Sequence, residues 1–98
     1  MTLYLSGPMT GLPEANYPAF EKEAARLRSL GYAVVSPHEL DPGVDASWLS
    51  YMRVGVAALA GCDAIALLDG WERSRGAKIE ESLASALGLA VYNARNLT

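Results

Sequence analysis

The chain has 98 residues, half of them apolar, and a formal net charge of −3. This length supports one domain over residues 1–98 with a small core. Because the eight basic residues are dispersed in an acidic chain, a nucleic-acid-binding module is excluded. No apolar run approaches the roughly 20 residues that a membrane span needs. The single cysteine, Cys62, rules out an internal disulfide and is expected to be a small core residue.

The first part of the chain predicts two strands around one helix. Leu3 to Leu5 is a short apolar run closed by Ser6-Gly7-Pro8, which indicates a buried strand and a loop. Asn16 offers an N-cap for a helix that ends at Gly31. Residues 32–35 predict the second strand. The prediction of the first helix is supported by an apolar stripe at helical spacing, formed by Phe20, Ala24, Leu27 and Leu30.

The second part of the chain continues the alternation. After an irregular polar stretch, Asp45 or Ser47 caps a predicted second helix that runs to about residue 60. The apolar run 64–68 predicts a third strand, residues 78–87 a third helix, and residues 89–92 a fourth strand.

The element order β-α-β-α-β-α-β defines the predicted fold class. Its short connections and unbroken apolar strands are typical of a parallel sheet covered on both faces. We therefore predict an α/β domain, a small three-layer αβα arrangement of flavodoxin or Rossmann type with about four strands. Right-handed crossovers place the strand-end loops at one edge of the sheet, where ligands of such folds bind.

The segment from Gly70 to Glu81 carries the strongest functional signal. It follows the third apolar run as a polar, glycine-containing loop and leads into a helix. A carboxylate one turn into that helix points at any ligand that the loop binds, so Glu80 is the first candidate for a catalytic residue. The loops after the first and third strands contribute the expected substrate-binding residues, which are Tyr4, Ser6, Gly7, Pro8, Met9, Asp69, Trp71, Ser74, Arg75 and Gly76.

The ligand expected at this edge is a phosphorylated small molecule. Glycines let backbone amides approach a ligand closely, and helix N-termini favour anions. The first loop lacks Gly-x-Gly-x-x-Gly, and the chain lacks a Walker A sequence. Because no His, Cys or carboxylate cluster has metal-ligand spacing, we expect no metal ion and no cofactor.

Structural alternatives stay open for several of these residues. Ser6-Gly7-Pro8 is also compatible with an ordinary turn, and Arg75 with a solvated helix surface. The predicted second helix contains Trp48, Tyr51 and Met52. For these three side chains, packing in the core or at a subunit interface is favoured over stacking on a ligand. For Trp71, a structural role and stacking on a base are equally favoured.

Four segments of the chain resemble a known family. They are 4–11, 16–20, 62–65 and 70–80, and they resemble DUF4406, a group of small domains of phages and bacteria. That family is similar to nucleoside 2-deoxyribosyltransferases and to deoxynucleoside 5′-monophosphate N-hydrolases. The resemblance implies a cytoplasmic homo-oligomer, bacterial or in a phage-infected cell, whose partner is a nucleoside or nucleotide and not a nucleic acid or a membrane.

The resemblance also implies roles for individual residues. The family nucleophile, a glutamate eight residues before a helix-ending glycine, corresponds to Glu80, with Gly88 as that glycine. It attacks the anomeric C1′ and releases the base. The position that binds the 5′ end of the sugar corresponds to Ser74, which favours a 5′-phosphate. Tyr4 and the loop of residues 6–8 match the segment that lines the pocket.

One departure from the family pattern leaves the activity open. The family commonly has an aspartate in the second helix that helps the base to leave, and this chain has Gly55 there. Because a positioned acid or base typically contributes about 10²–10⁴-fold to rate, the sequence does not decide whether the chain is an enzyme. The alternatives are an N-glycosidase or deoxyribosyltransferase-like enzyme, a catalytically impaired module that sequesters a nucleotide, and a small interaction protein.

Overall fold

A four-stranded parallel sheet forms the centre of the computed structural model, which describes residues 1–98. Its strands are β1 (Thr2–Ser6), β2 (Ala33–Val35), β3 (Ala64–Leu67) and β4 (Ala90–Asn93), in the order β2-β1-β3-β4. The helices are α1 (Tyr17–Ser29), α2 (Trp48–Ala60) and α3 (Arg75–Ala86). The predicted α/β class, the parallel sheet and the element order are confirmed.

The central strand β1 pairs with a neighbour on each side. Tyr4 lies opposite Val35 of β2 and opposite Ile65 of β3, with all three strands parallel. The chain leaves β1 towards β2 and later returns to the other side of β1 as β3. Ligands of open α/β sheets bind at such a point of reversal, beyond the carboxyl ends of the strands.

Two apolar clusters pack on the opposite faces of the sheet. Leu3 and Leu5 of β1 pack with Phe20 and Leu27 of α1 on one face. Tyr4 belongs to the cluster on the other face, with Leu59 of α2, Ile65 and Leu67 of β3, Cys62 and Ala84 of α3. This alternation follows from the two-residue period of a strand. The cluster also confirms Cys62 as a buried core residue.

The helix boundaries correct the sequence prediction in two places. Helix α3 begins at Arg75 instead of residue 78, because the Ser74 hydroxyl accepts a hydrogen bond from the Ala77 amide and caps the helix earlier. Leu30 is not part of the buried stripe. It follows the last residue of α1 and is 47% exposed.

The other two predicted caps have different outcomes. Ser47, one of the two residues proposed, caps α2 by accepting a hydrogen bond from the amide of Ser50. Asn16 precedes α1 but does not cap it, since its backbone is left-handed and its side chain donates instead to the carbonyl of Pro8. None of the helices is both long and apolar enough to cross a membrane.

Candidate active site at the carboxyl end of strand β1

Glu80 lies in the second turn of α3 and is 7% exposed. Each of its carboxylate oxygens accepts one hydrogen bond from β1. The Tyr4 hydroxyl donates to Oε2 at 2.7 Å, and the Ser6 hydroxyl donates to Oε1 at 2.7 Å. Tyr4 and Ser6 are both fully buried and two residues apart, so they lie on the same face of β1. The strand therefore fixes the orientation of the carboxylate.

Burial and hydrogen bonding act on the Glu80 carboxylate in opposite directions. Burial raises the pKa of Glu80 above its ordinary value, and the hydrogen bonds from Ser6 and Tyr4 oppose that rise only in part. Burial and the nearby charge of Glu80 also raise the pKa of Tyr4. The Tyr4 hydroxyl therefore keeps its proton and remains a donor, while Glu80 is the group that titrates.

Gly55 of α2 lies directly against this hydrogen-bonded pair. A Cβ atom at position 55 would lie 2.6 Å from the Tyr4 hydroxyl oxygen and 2.8 Å from Oε2 of Glu80. Both distances are well below an ordinary carbon contact of roughly 3.5 Å. A side chain at this position therefore has no space while Tyr4 and Glu80 are paired. An aspartate at this position, which the family resemblance implied, would require Tyr4 or Glu80 to move.

A cavity of about 350 Å³ opens beside the carboxylate. This volume falls within the range of about 300–1,000 Å³ that is typical of small-molecule sites. Its wall is mainly apolar, and Glu80 is the residue with a charged side chain in it. The larger side chains of the wall come from β1, the loops after β1 and β2, and helices α1 and α2: Tyr4, Met9, Leu12, Tyr17, Leu40, Trp48, Tyr51, Met52 and Val54.

Five of the ten predicted binding residues line this cavity, together with Glu80. Tyr4, Gly7 and Met9 line it from the side of β1. From the side of α3 the lining residues are Ser74, Gly76 and Glu80. Ser6 lies behind the carboxylate as its hydrogen-bond donor. Gly7 is closely packed as well, because a Cβ there would lie 2.7 Å from the Leu68 Cβ.

The other four predicted binding residues neither line the cavity nor form a hydrogen bond with Glu80. The backbone carbonyl of Pro8 accepts the hydrogen bond from Asn16. Asp69 is exposed and pairs with Arg95 at 3.5 Å. Trp71 packs against the core cluster of the α2–α3 face. The guanidinium of Arg75 lies 4.3 Å from the centre of the Trp48 ring.

The loop after β2 contributes apolar surface rather than charge. Pro37 and Leu40 line the cavity, whereas Glu39 is paired with Arg28. His38 is hydrogen-bonded to the Ser36 hydroxyl. No group of three His, Cys, Asp or Glu side chains has the proximity that a metal ion requires.

The first turn of α2 is the part of the site that sequence analysis underestimated. Trp48, Tyr51 and Met52, for which core or interface packing was favoured, line the cavity. Their spacing of three and four residues puts them on one helix face. The cap at Ser47 was the available signal that these residues begin the helix.

Solved structures of two enzymes share this fold. One is a 2-deoxyribosyltransferase from Bacillus psychrosaccharolyticus, with a TM-score of 0.73 and 23% identity over 93% of this chain and 69% of that one. The other is a 2-deoxyribosyltransferase from Leishmania mexicana, with a TM-score of 0.71 and 19% identity over 92% of this chain and 61% of that one. The present chain thus spans about two thirds of their length.

The family assignment comes from a family model. Residues 1–93 match the domain of unknown function DUF4406. The chain belongs to this family, as its sequence motifs indicated. No curated protein matches the chain.

Proposed function

We propose that this domain binds a deoxynucleoside, or its 5′-monophosphate, and cleaves or transfers the N-glycosidic bond with Glu80 as nucleophile. The observation that carries this proposal is the buried Glu80 carboxylate, oriented by two hydroxyl groups beside a cavity of nucleoside size. The fold shared with two 2-deoxyribosyltransferases supports the same chemistry.

The geometry around Glu80 suits attack on a sugar carbon. Breaking the bond between C1′ and the base nitrogen builds positive charge on the sugar ring, and a carboxylate about 3 Å away stabilises that charge and captures it covalently. A glycosyl ester of Glu80 forms, and water or a second base resolves it. The Tyr4 and Ser6 hydroxyls hold the carboxylate in place during both steps.

The position of Ser74 supports a role for a 5′-phosphate. Ser74 lines the cavity and caps α3, so the positive end of the helix dipole lies at the same wall. Arg75 follows directly and carries a positive charge close to Trp48. In this proposal the 5′ end of the sugar lies near Ser74 while C1′ lies near Glu80.

A second candidate function is a binding module that sequesters a nucleotide without turning it over. The observation that favours it is Gly55, which has no side chain that could protonate a leaving base. A side chain at this position would lie too close to Tyr4 and Glu80. In that case a nucleotide stabilises the protein, no base is released, and binding tolerates Glu80→Ala. The homo-oligomer, the cytoplasmic location and the origin in a bacterium or phage stay predictions.

The experiment is a thermal-shift screen of deoxynucleosides and their 5′-monophosphates, with free base measured by chromatography for every ligand that stabilises the protein. The glycosyl-transfer proposal requires base release that Glu80→Ala abolishes. Stabilisation without release supports the binding module. If no nucleoside or nucleotide stabilises the protein, both functions fail and a role in protein interaction is left.

A further inference from the structure

The cavity wall has a marked chemical asymmetry. Glu80 is its charged group, and it is buried. The surrounding wall is rich in polarisable side chains, four aromatic rings and two thioethers, contributed by Tyr4, Tyr17, Trp48, Tyr51, Met9 and Met52. A desolvated carboxylate among aromatic faces favours a cationic ligand, because opposite charges attract strongly where water is excluded and aromatic faces attract cations. Trp48 already makes one such contact, with the guanidinium of Arg75.

The same wall offers little help to a neutral leaving base. When the bond to C1′ breaks, a neutral base takes up the bonding electrons as an anion unless an acid protonates it. The proton of Tyr4 is held in the 2.7 Å hydrogen bond to Glu80. Gly55 brings no side chain to this point. The remaining hydroxyls of the wall, those of Tyr17, Tyr51, Thr10 and Ser74, are much weaker acids than a carboxylic acid or an imidazolium.

A ring that is already positively charged leaves without needing a proton. We propose that the preferred substrates of this site are nucleosides whose base is a cationic ring, such as an N7-alkylated purine or a pyridinium. This inference rests on the proposed function, since it specifies the leaving group of the same displacement at Glu80.

The reaction balances without an added acid. A lone pair of a Glu80 oxygen forms the bond to C1′, and the electrons of the C1′–N bond return to the ring nitrogen and cancel its positive charge. The base leaves neutral. Water then attacks C1′, the ester electrons return to the Glu80 carboxylate, and the proton of the water passes to solvent.

The test compares two probes that differ by one methyl group and one charge, 2′-deoxyguanosine and 7-methyl-2′-deoxyguanosine. Base release is measured by chromatography with the intact protein at a series of pH values from mildly acidic to neutral, because the methylated ring is cationic at the acidic end and Glu80, whose pKa is raised by burial, ionises as the pH rises. Each rate is divided by the uncatalysed rate of the same probe, because the methylated nucleoside also loses its base in water. Glu80→Gln, with folding checked by circular dichroism, shows which release depends on the nucleophile.

We expect the rate enhancement for the cationic probe to exceed that for 2′-deoxyguanosine by about tenfold or more, because the wall attracts a cationic base and supplies no acid to a neutral one. If the enhancement for 2′-deoxyguanosine equals or exceeds that for the methylated probe, the site has no preference for a cationic base and the inference is overturned. The proposed function survives that outcome. If neither base is released in a Glu80-dependent way, the proposed function itself fails and takes this inference with it.

Discussion

Gly55→Ala tests whether the space beside Glu80 is as restricted as the structure shows. In an ordinary helix interior this change stabilises by roughly 0.5–1 kcal/mol. Here the new Cβ would lie 2.6 Å from the Tyr4 hydroxyl oxygen and 2.8 Å from a Glu80 oxygen. Overpacking costs about 1–3 kcal/mol, and separating a hydrogen bond to a charged group costs about 1.5–3 kcal/mol. The two costs sum to at least about 2.5 kcal/mol and the gain is at most about 1 kcal/mol, so we expect a net loss of at least about 1.5 kcal/mol.

Urea unfolding followed by tryptophan fluorescence measures this loss, and a thermal melt should show a midpoint lower by at least about 4 °C. The matched control is Gly61→Ala at the end of α2. Its backbone φ is −91°, and the nearest atom to its Cβ is the Ala58 carbonyl oxygen at 3.7 Å. We expect that variant to stay within about 0.5 kcal/mol of the wild type.

Two further measurements decide whether the contact with Tyr4 is the cause. In the Tyr4→Phe background the closest clash is removed, so Gly55→Ala should cost less there by about 0.5 kcal/mol or more. Base release should fall in Gly55→Ala, because the Glu80 carboxylate is displaced. A Gly55→Ala variant that is as stable as the wild type, or more stable, and releases base at the wild-type rate would show that a Cβ fits beside Tyr4 and Glu80 without disturbing them.

Three other predictions follow from the same site. The pKa of Glu80 is raised on folding, so its contribution to stability is present below the ordinary glutamate pKa and is lost as pH rises through the raised value. Between these two pKa values the unfolding free energy of the wild type should fall, relative to that of Glu80→Gln, by about 1.4 kcal/mol per pH unit. Unfolding free energies from urea denaturation that change with pH in the same way for both proteins would contradict this. Tyr4→Phe should lower the unfolding free energy by about 1–3 kcal/mol. The control is Tyr32→Phe, which removes an exposed hydroxyl that donates to the Thr98 carbonyl and should change the unfolding free energy by less than about 0.5 kcal/mol. Equal losses in the two variants would argue against a special role for the Tyr4 hydroxyl. Ser74→Asp keeps the helix cap but adds a negative charge, so in thermal-shift titrations it should weaken binding of a 5′-monophosphate and leave binding of the nucleoside unaffected. Ser74→Asn, which is an uncharged cap, should bind both ligands. If the two variants weaken binding of the 5′-monophosphate equally, the 5′-phosphate does not bind near Ser74.

The strands and the position of Glu80 followed from local patterns. Unbroken apolar runs identified every strand to within a residue or two, because a parallel sheet buries both faces of its strands. Glu80 was found from the succession of strand, glycine-containing loop and helix. The start of α3 was missed because Gly76 lowers helix propensity in its first turn, and the cap at Ser74 outweighs that local cost.

The remaining parts of the site depend on contacts between distant segments. The proximity of Gly55 to Tyr4 and Glu80 joins α2, β1 and α3, and no local pattern contains it. The hydrogen bonds of Glu80 connect residues more than 70 positions apart in the chain. Trp48 and its neighbours in α2 have apolar spacing that fits a core as well as a cavity, so only the helix orientation distinguishes the two.

Peptide mapping by mass spectrometry of protein quenched in acid during turnover tests the central claim most directly. If Glu80 is the nucleophile, a deoxyribosyl adduct is found on the peptide that contains Glu80, and it is missing from Glu80→Gln incubated with the same nucleoside. Continued base release with Glu80 unmodified, together with full turnover by Glu80→Gln, would contradict the account.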